Sequence, residues 1–394
     1  MKKIIKNIYG LLPISIRKFN KKRLQKLRFI DYIILYKMYC RKYQLDDKKV
    51  LFLSSSRDSL SGNLEFIYNE LNKYDYEINM FLDKKIGQKR KFKDKKRLCK
   101  LMAMSKFILV DDFYPMIYTI NIRKNGELIQ VWHAMGAFKT VGYSRLGKVG
   151  GPKYHSLTHR NYTATIVSSE SIRKNYAEAF GIDISKVHAL GIPRTDIFFD
   201  KEYIKNKKEE LNKKYPLIKD KKVILFAPTF RGNGQKTAHY DFDLIDFKRL
   251  KDELKDEYVF IIKLHPFIKN IDKVPKDDDF FINLTYEREI NDLLFITDVL
   301  ITDYSSVIYE NALLNNKVIF YTPDLDEYIS NRDFYYDFSK YTYGDVTYNM
   351  DELISSIKNP NMDNLKLNQF KDYFCSSCDG NSTKRFVDKL ILKR

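Results

Sequence analysis

The stretch DVLITDYSSVIYENALLNNKVIFYTP (298–323) carries a short apolar run, a segment of helical period over 305–316, and a second apolar run at 317–321. Strands written as near-continuous Val, Ile, Leu and Phe are buried on both faces. Two of them joined through a helix belong to a parallel sheet. The same alternation runs outward from this stretch. Upstream lie the strands KKVILFAP (221–228), EYVFIIKLHP (257–266) and FFINLT (280–285), separated by the helical segments 243–256 and 287–297. A first series precedes it: KVLFLSSS (49–56), EINMFL (77–82), KFILVDD (106–112), ELIQVWH (127–133) and TATIVSS (163–169), with helices at 62–74 and 169–181. Two such series predict an α/β protein of two doubly wound Rossmann-like domains facing a cleft. The charged segment 201–221 divides them into 46–205 and 206–394, and the 394-residue length suits two domains.

Charge is concentrated at the front. Residues 1–45 hold 13 Lys or Arg and one acid, Asp31, which is +12 of the chain's +19 and leaves +7 for the other 349 residues. That distribution excludes a uniformly basic protein that coats nucleic acid, and no nucleic-acid motif is present. Within 15–45, Ile16, Phe19, Leu24, Leu27 and Ile30 recur every three to five residues among the basic ones. A basic amphipathic helix is expected to lie on an anionic membrane surface, the alternative being a helical extension packed on the domain behind it. No run approaches the ~20 apolar residues of a membrane span, and no signal-peptide pattern appears. Four cysteines do not make a disulfide framework, and CSSC (375–378) lacks the further ligands that zinc needs. A reduced, cytoplasmic protein without metal or cofactor is expected.

In doubly wound domains the chemistry sits just past the strands. VWHAMGAFKTVG (131–142) puts His133 there as a candidate general base, with Lys139 as a phosphate partner. FAPTFRGNG (226–234) places Thr229 and Arg231 beyond a strand, where a guanidinium can hold a phosphate by two parallel hydrogen bonds. KLHPF (263–267) ends a strand at His265, which as a cation can stabilise a pyrophosphate. After Thr302, Asp303 or Ser305 can cap a helix whose first turn holds Ser305 and Ser306, an anion site by its free N–H groups and dipole. Glu310, nearly two turns on, can accept from ribose hydroxyls. LSSSRDSLSGN (53–63) offers Arg57 and Asn63 to an acceptor's hydroxyls or phosphate. Neither a GxxxxGK[ST] loop nor a GxGxxG turn occurs where a P-loop or dinucleotide enzyme needs one.

Five segments, VWHAMGAFKTVG, FAPTFRGN, IIKLHPF, LITDYSSVIYENALLNNKVIFYTPDLDEY and DGNSTKR (379–385), together resemble the CDP-glycerol glycerophosphotransferase family of teichoic acid synthesis, over about residues 50–390. The resemblance implies a GT-B fold with no obligatory metal, peripheral on the cytoplasmic face of the cell membrane. It implies a CDP-glycerol donor, or CDP-ribitol as the alternative, and an undecaprenyl-diphosphate-linked saccharide or polyol-phosphate acceptor. His133 is similar to that family's proposed base and His265 to its second essential histidine. Arg231, Thr302, Ser305 and Ser306 are similar to its donor-binding residues. The family usually has Gly directly after the first histidine. Here Ala134 stands there, and Gly136 follows two residues later. Glycerol phosphate is the first expectation for the transferred group. Readings from other classes are a nucleotide-sugar glycosyltransferase of GT-B fold and a membrane-bound scaffold without activity.

Overall fold

The computed structural model describes residues 24–83, 88–148, 151–232, 237–287 and 289–394. Among these are two six-stranded, all-parallel sheets. The first contains β1 (Asp46–Ser54), β2 (Glu77–Leu82), β3 (Ser105–Val110), β4 (Glu127–Gln130), β5 (Ala164–Ile166) and β6 (Val187–His188), in the order β2-β1-β3-β4-β5-β6. The second contains β7 (Lys222–Phe226), β8 (Tyr258–Ile262), β9 (Phe281–Asn283), β10 (Val299–Thr302), β11 (Lys317–Tyr321) and β12 (Asp345–Thr347), in the order β12-β11-β10-β7-β8-β9. Strand order reverses between β1 and β3 in one sheet and between β10 and β7 in the other, which marks the place where doubly wound sheets take ligands. Both domains follow the GT-B plan, and the quoted stretch 298–323 is the β10–helix–β11 unit at the second reversal point.

Continuous apolar strands are buried as expected: every residue of β8 and β10 is buried. The edge strands β6 and β12 are additional to those the sequence predicts, because two or three edge residues carry no periodicity. The last turns of the chain cross back. Phe386, Val387, Leu390 and Ile391, from the helix Ser382–Phe386 and the turn after it, pack with Val50 and Phe52 of β1 and with Leu64 and Ile67 of the helix Gly62–Leu71. The 206–394 segment therefore contributes to both domains.

Of the basic front segment 1–45, residues 1–23 lie outside the described residues. The helix Ile30–Lys42 buries Tyr32, Leu35, Tyr36 and Tyr39 against the first domain, so the packed extension is realised on that face. The opposite face shows Ile30, Ile34 and Met38, all exposed, as are Leu24 and Leu27 just before the helix.

The domains meet along the loop after His133. Thr140 N–H donates to Asp333 O (2.9 Å) and Tyr335 N–H to Phe138 O (2.9 Å). Gly136 has φ +69°, and a Cβ there would stand 2.2 Å from the Tyr309 ring. The glycine lies where a helix of the second domain packs tightest against this loop. Position 134 carries no such constraint, so Ala134 is accommodated.

Candidate functional site

His133 and His265 approach each other across the domain gap and line one cleft of about 340 Å³ together with Ser305, Ser306 and Glu310. Each reaches it by the same device, a strand that ends abruptly. β8 is followed by Lys263, Leu264, His265 and Pro266, and the proline cannot continue the ladder. His265 Nδ1 accepts from Phe267 N–H (3.1 Å), so a neutral ring carries its proton on Nε2. Phe230 and Phe267 flank the ring, with centroids at 4.8 and 4.5 Å. Burial, then the charges of Lys139, His133 and Lys263, lower its pKa to about 4. The expected cation is thus corrected: at neutral pH and without ligand, His265 is a neutral Nε2–H donor, because burial against an apolar wall and the nearby Lys139 and Lys263 oppose a further charge.

His133 is more open, with its side chain 42% exposed. It stacks on Trp132 (4.5 Å between centroids), and its Nδ1 lies 3.6 Å from Asp112 Oδ1. Ser306 opens the helix Val307–Leu314 and its hydroxyl caps nothing, while Ser305 Oγ accepts Val307 N–H (3.4 Å), and both serines line the cleft at this helix N-terminus. Glu310, on the same helix, is buried and ion-paired with Arg194 of the first domain. Burial raises its pKa and Arg194 opposes that. One Glu310 oxygen is therefore already committed across the domain gap.

The remaining expected residues are placed elsewhere. Arg231 donates from Nε and Nη2 to the two oxygens of Asp324 (2.6 and 2.9 Å), and from Nη1 to Asp303 Oδ2 (2.8 Å) and Thr229 O (2.5 Å). Asp303 also accepts from the N–H groups of Thr229 (2.7 Å) and Tyr304 (2.5 Å). The Thr302 hydroxyl is used by Ala227 O (2.7 Å). Thr229, Arg231, Thr302 and Asp303 thus form one hydrogen-bonded strut after β7 and β10. Arg231 also borders a separate hollow of about 1260 Å³ with Asp324 and Tyr328. Lys139 is half-buried 5.6 Å from the Tyr328 ring centroid. Burial lowers its pKa to about 7, Asp303 opposing and Arg332 and Arg231 assisting. Arg57 pairs with Asp111 (3.1 Å) and Asn63 with backbone carbonyls, both behind His133.

Sequence reading missed Arg194, Lys263, Glu289 and Asn291, which line the same cleft. Lys263 stood in a quoted strand end. Arg194 sits in a loop without a motif, and only the fold brings it to Glu310. Among the described residues no group of His, Cys, Asp and Glu could hold a metal ion, and no helix is long and apolar enough to cross a membrane.

A model of the family CDP-Glycerol:Poly(glycerophosphate) glycerophosphotransferase matches residues 34–392. The teichoic acid poly(ribitol-phosphate) polymerase of Bacillus spizizenii is 48% identical over 391 residues, 97% of this chain and 62% of that protein. This chain therefore spans a little under two thirds of that relative's length. The teichoic acid ribitol-phosphate primase of the same species is 36% identical over 368 residues, 90% of this chain and 93% of that protein. Among solved structures, the wall teichoic acid polymerase TagF superposes with a TM-score of 0.75 at 22% identity, covering 97% of this chain and 98% of that one. At that identity the likeness is one of fold.

Proposed function

The chain belongs to the CDP-glycerol:poly(glycerophosphate) glycerophosphotransferase family, and from that premise we propose that it transfers a polyol phosphate from a CDP-activated donor to a hydroxyl of a lipid-linked teichoic acid acceptor. One observation carries the reading: His133 and His265, from opposite domains, share a cleft with the open helix end at Ser305–Ser306. The acceptor oxygen attacks the donor's β-phosphorus, an O–P bond forms, the pyrophosphate bridge breaks, and CMP leaves with the bonding pair. His133 takes the hydroxyl proton. Nε2–H of His265, the serine hydroxyls and the helix N-terminus receive the growing negative charge. Little covalent work falls to the protein, so placement dominates.

Ribitol phosphate is the group we favour over the glycerol phosphate first expected. The family description names glycerol phosphate, but the relatives at 48% and 36% identity both carry ribitol phosphate in their names. The purified protein, given lipid-linked acceptor, should release CMP with CDP-ribitol or CDP-glycerol and no nucleoside diphosphate with nucleotide sugars. The kcat/KM for CDP-ribitol should exceed that for CDP-glycerol by about tenfold or more, since a site built for the extra hydroxyls loses those bonds with the shorter polyol. CMP release from neither donor would remove the reading, and nucleoside diphosphate release from a sugar donor would replace it with glycosyl transfer.

The acceptor's lipid calls for a surface location, and the front helix supports one. Ile30, Ile34 and Met38 recur every four residues on its outward side, and Leu24 and Leu27 are exposed just before it, with Lys26, Arg28, Lys37, Arg41 and Lys42 also exposed. We place this face in the interface of an anionic bilayer, with the cleft on its cytoplasmic side. Each basic residue near such a surface contributes about 1 kcal/mol. Aspartate at Ile34 and Met38 together should cut partition onto phosphatidylglycerol vesicles by about tenfold or more without unfolding the domain, because both side chains face water. Undiminished vesicle binding in a sedimentation assay would take the helix out of this account.

A further inference from the structure

The reversal point of the first sheet lies between β1 and β3, and β3 ends in two consecutive carboxylates, Asp111 and Asp112. They are not equivalent. Asp111 is 2% exposed and has its own cation, Arg57 Nε at 3.1 Å. Arg57 is steadied in turn by the Ser61 hydroxyl (2.7 Å). Among the described residues no guanidinium pairs with Asp112, and its Oδ1 stands 3.6 Å from His133 Nδ1. The same oxygen accepts Phe113 N–H (2.6 Å), and Asp112 O receives Gln130 Nε2 (3.2 Å), so both ends of the residue are held.

The histidine is held with equal care. Trp132, directly before it, has φ +48°. A bulky residue enters that left-handed region only at a cost of about 1–3 kcal/mol, and such strain persists where the surroundings over-determine it. Here they do. Asn63 Nδ2 donates to both Val131 O (3.0 Å) and Trp132 O (2.8 Å), and Trp132 N–H donates to Gln130 Oε1 (2.8 Å). Gln130 therefore fixes the strained turn with its oxygen and the Asp112 backbone with its nitrogen. One side chain sets the distance between carboxylate and imidazole.

We infer that Asp112 is the positioning residue of His133. It accepts Nδ1–H, so the neutral ring keeps its proton on Nδ1 and turns a bare Nε2 toward the acceptor hydroxyl. The inference rests on the reading of His133 as the base. In the transfer step the hydroxyl proton moves to Nε2 as the O–P bond forms and CMP departs. Asp112 stays ionised and faces the imidazolium that results. Its 3.6 Å spacing is longer than a hydrogen bond, as is common for catalytic contacts before substrate arrives. The other titratable or charged groups around His133 are Asp111 with Arg57 behind it, and His265, Lys263, Arg194, Glu289 and Glu310 lining the cleft.

Histidine-selective ¹⁵N NMR on the full-length protein tests this without any substrate. The His133 signal should report the Nδ1–H tautomer in the wild type and move toward Nε2–H in D112A, with H133Q used to assign it. The Phe113 N–H that Asp112 Oδ1 accepts is only part-buried and can turn to water, so D112A should fold. With donor and acceptor, D112A should lose about 10²–10⁴-fold in kcat, with the donor KM within about twofold of wild type. A purely structural part for Asp112 would leave the tautomer where it was. An unchanged tautomer, or a kcat within about threefold of wild type, would overturn the inference. H133Q at full activity would instead sink the base assignment itself, whereas an inactive H133Q beside an active D112A would sink only the pairing.

Discussion

Alanine at position 133 is expected to lower the rate of CMP release by about 10²–10⁴-fold, the contribution of a positioned general base, while leaving stability within about 1 kcal/mol of wild type. The two parts of that expectation come from the same geometry. The His133 side chain is 42% exposed, lies 3.6 Å from Asp112 and stacks on Trp132, so its removal opens no cavity and strands no buried polar atom. The strained turn that carries it is held through backbone atoms, by Asn63 and Gln130, and those bonds survive in the alanine variant. Donor affinity should also survive, because the helix end at Ser305–Ser306 and the Nε2–H of His265 belong to the second domain. The decisive comparison is kcat against donor KM in the variant, beside its circular dichroism melt. A variant that transfers at more than about a tenth of the wild-type rate would show that the acceptor hydroxyl needs no base from this position.

Much of this was legible in the sequence because strand ends are where a doubly wound fold puts its chemistry. His133 and His265 could be picked out from VWHA and KLHP alone, and Ser305–Ser306 from the polar pair behind LITD. Their meeting in one cleft follows from two sheets facing each other. What could not be read is which polar residues face that cleft and which hold it up. A guanidinium after a strand looks the same whether it awaits a phosphate or is already gripped by carboxylates. Arg231 is gripped by Asp303 and by Asp324, 93 residues further along the chain. Asn63 looked like a ligand for hydroxyls, and its amide is spent on carbonyls 68 and 69 residues away. Arg194 carries no local pattern at all. Its partner Glu310 is 116 residues distant, and only domain packing pairs them. In each case the missing information was a long-range partner, which neither periodicity nor a motif encodes.

That distinction gives the strongest expected effect on stability. Asp303 is 1% exposed and accepts three hydrogen bonds, from Thr229 N–H, Tyr304 N–H and Arg231 Nη1. D303A would leave two buried backbone donors without an acceptor and Arg231 with only one of its two carboxylates. Breaking a buried, hydrogen-bonded charge pair from one side costs about 3–5 kcal/mol, and each orphaned donor adds to the same penalty rather than relieving it. The urea midpoint should fall accordingly. D303N, which still offers an oxygen to the backbone, should recover a good part of the loss. Arg231→Met combined with D303A should cost less than the sum of the two single changes, since removing both charges leaves neither uncompensated, with a coupling of about 0.5–3 kcal/mol. Were Arg231 and Asp303 direct ligands of the donor instead, the outcome would invert: D303A would keep its urea midpoint and raise the donor KM. The strut and the ligand make opposite demands on one carboxylate, and the unfolding curve of D303A separates them before any donor is added.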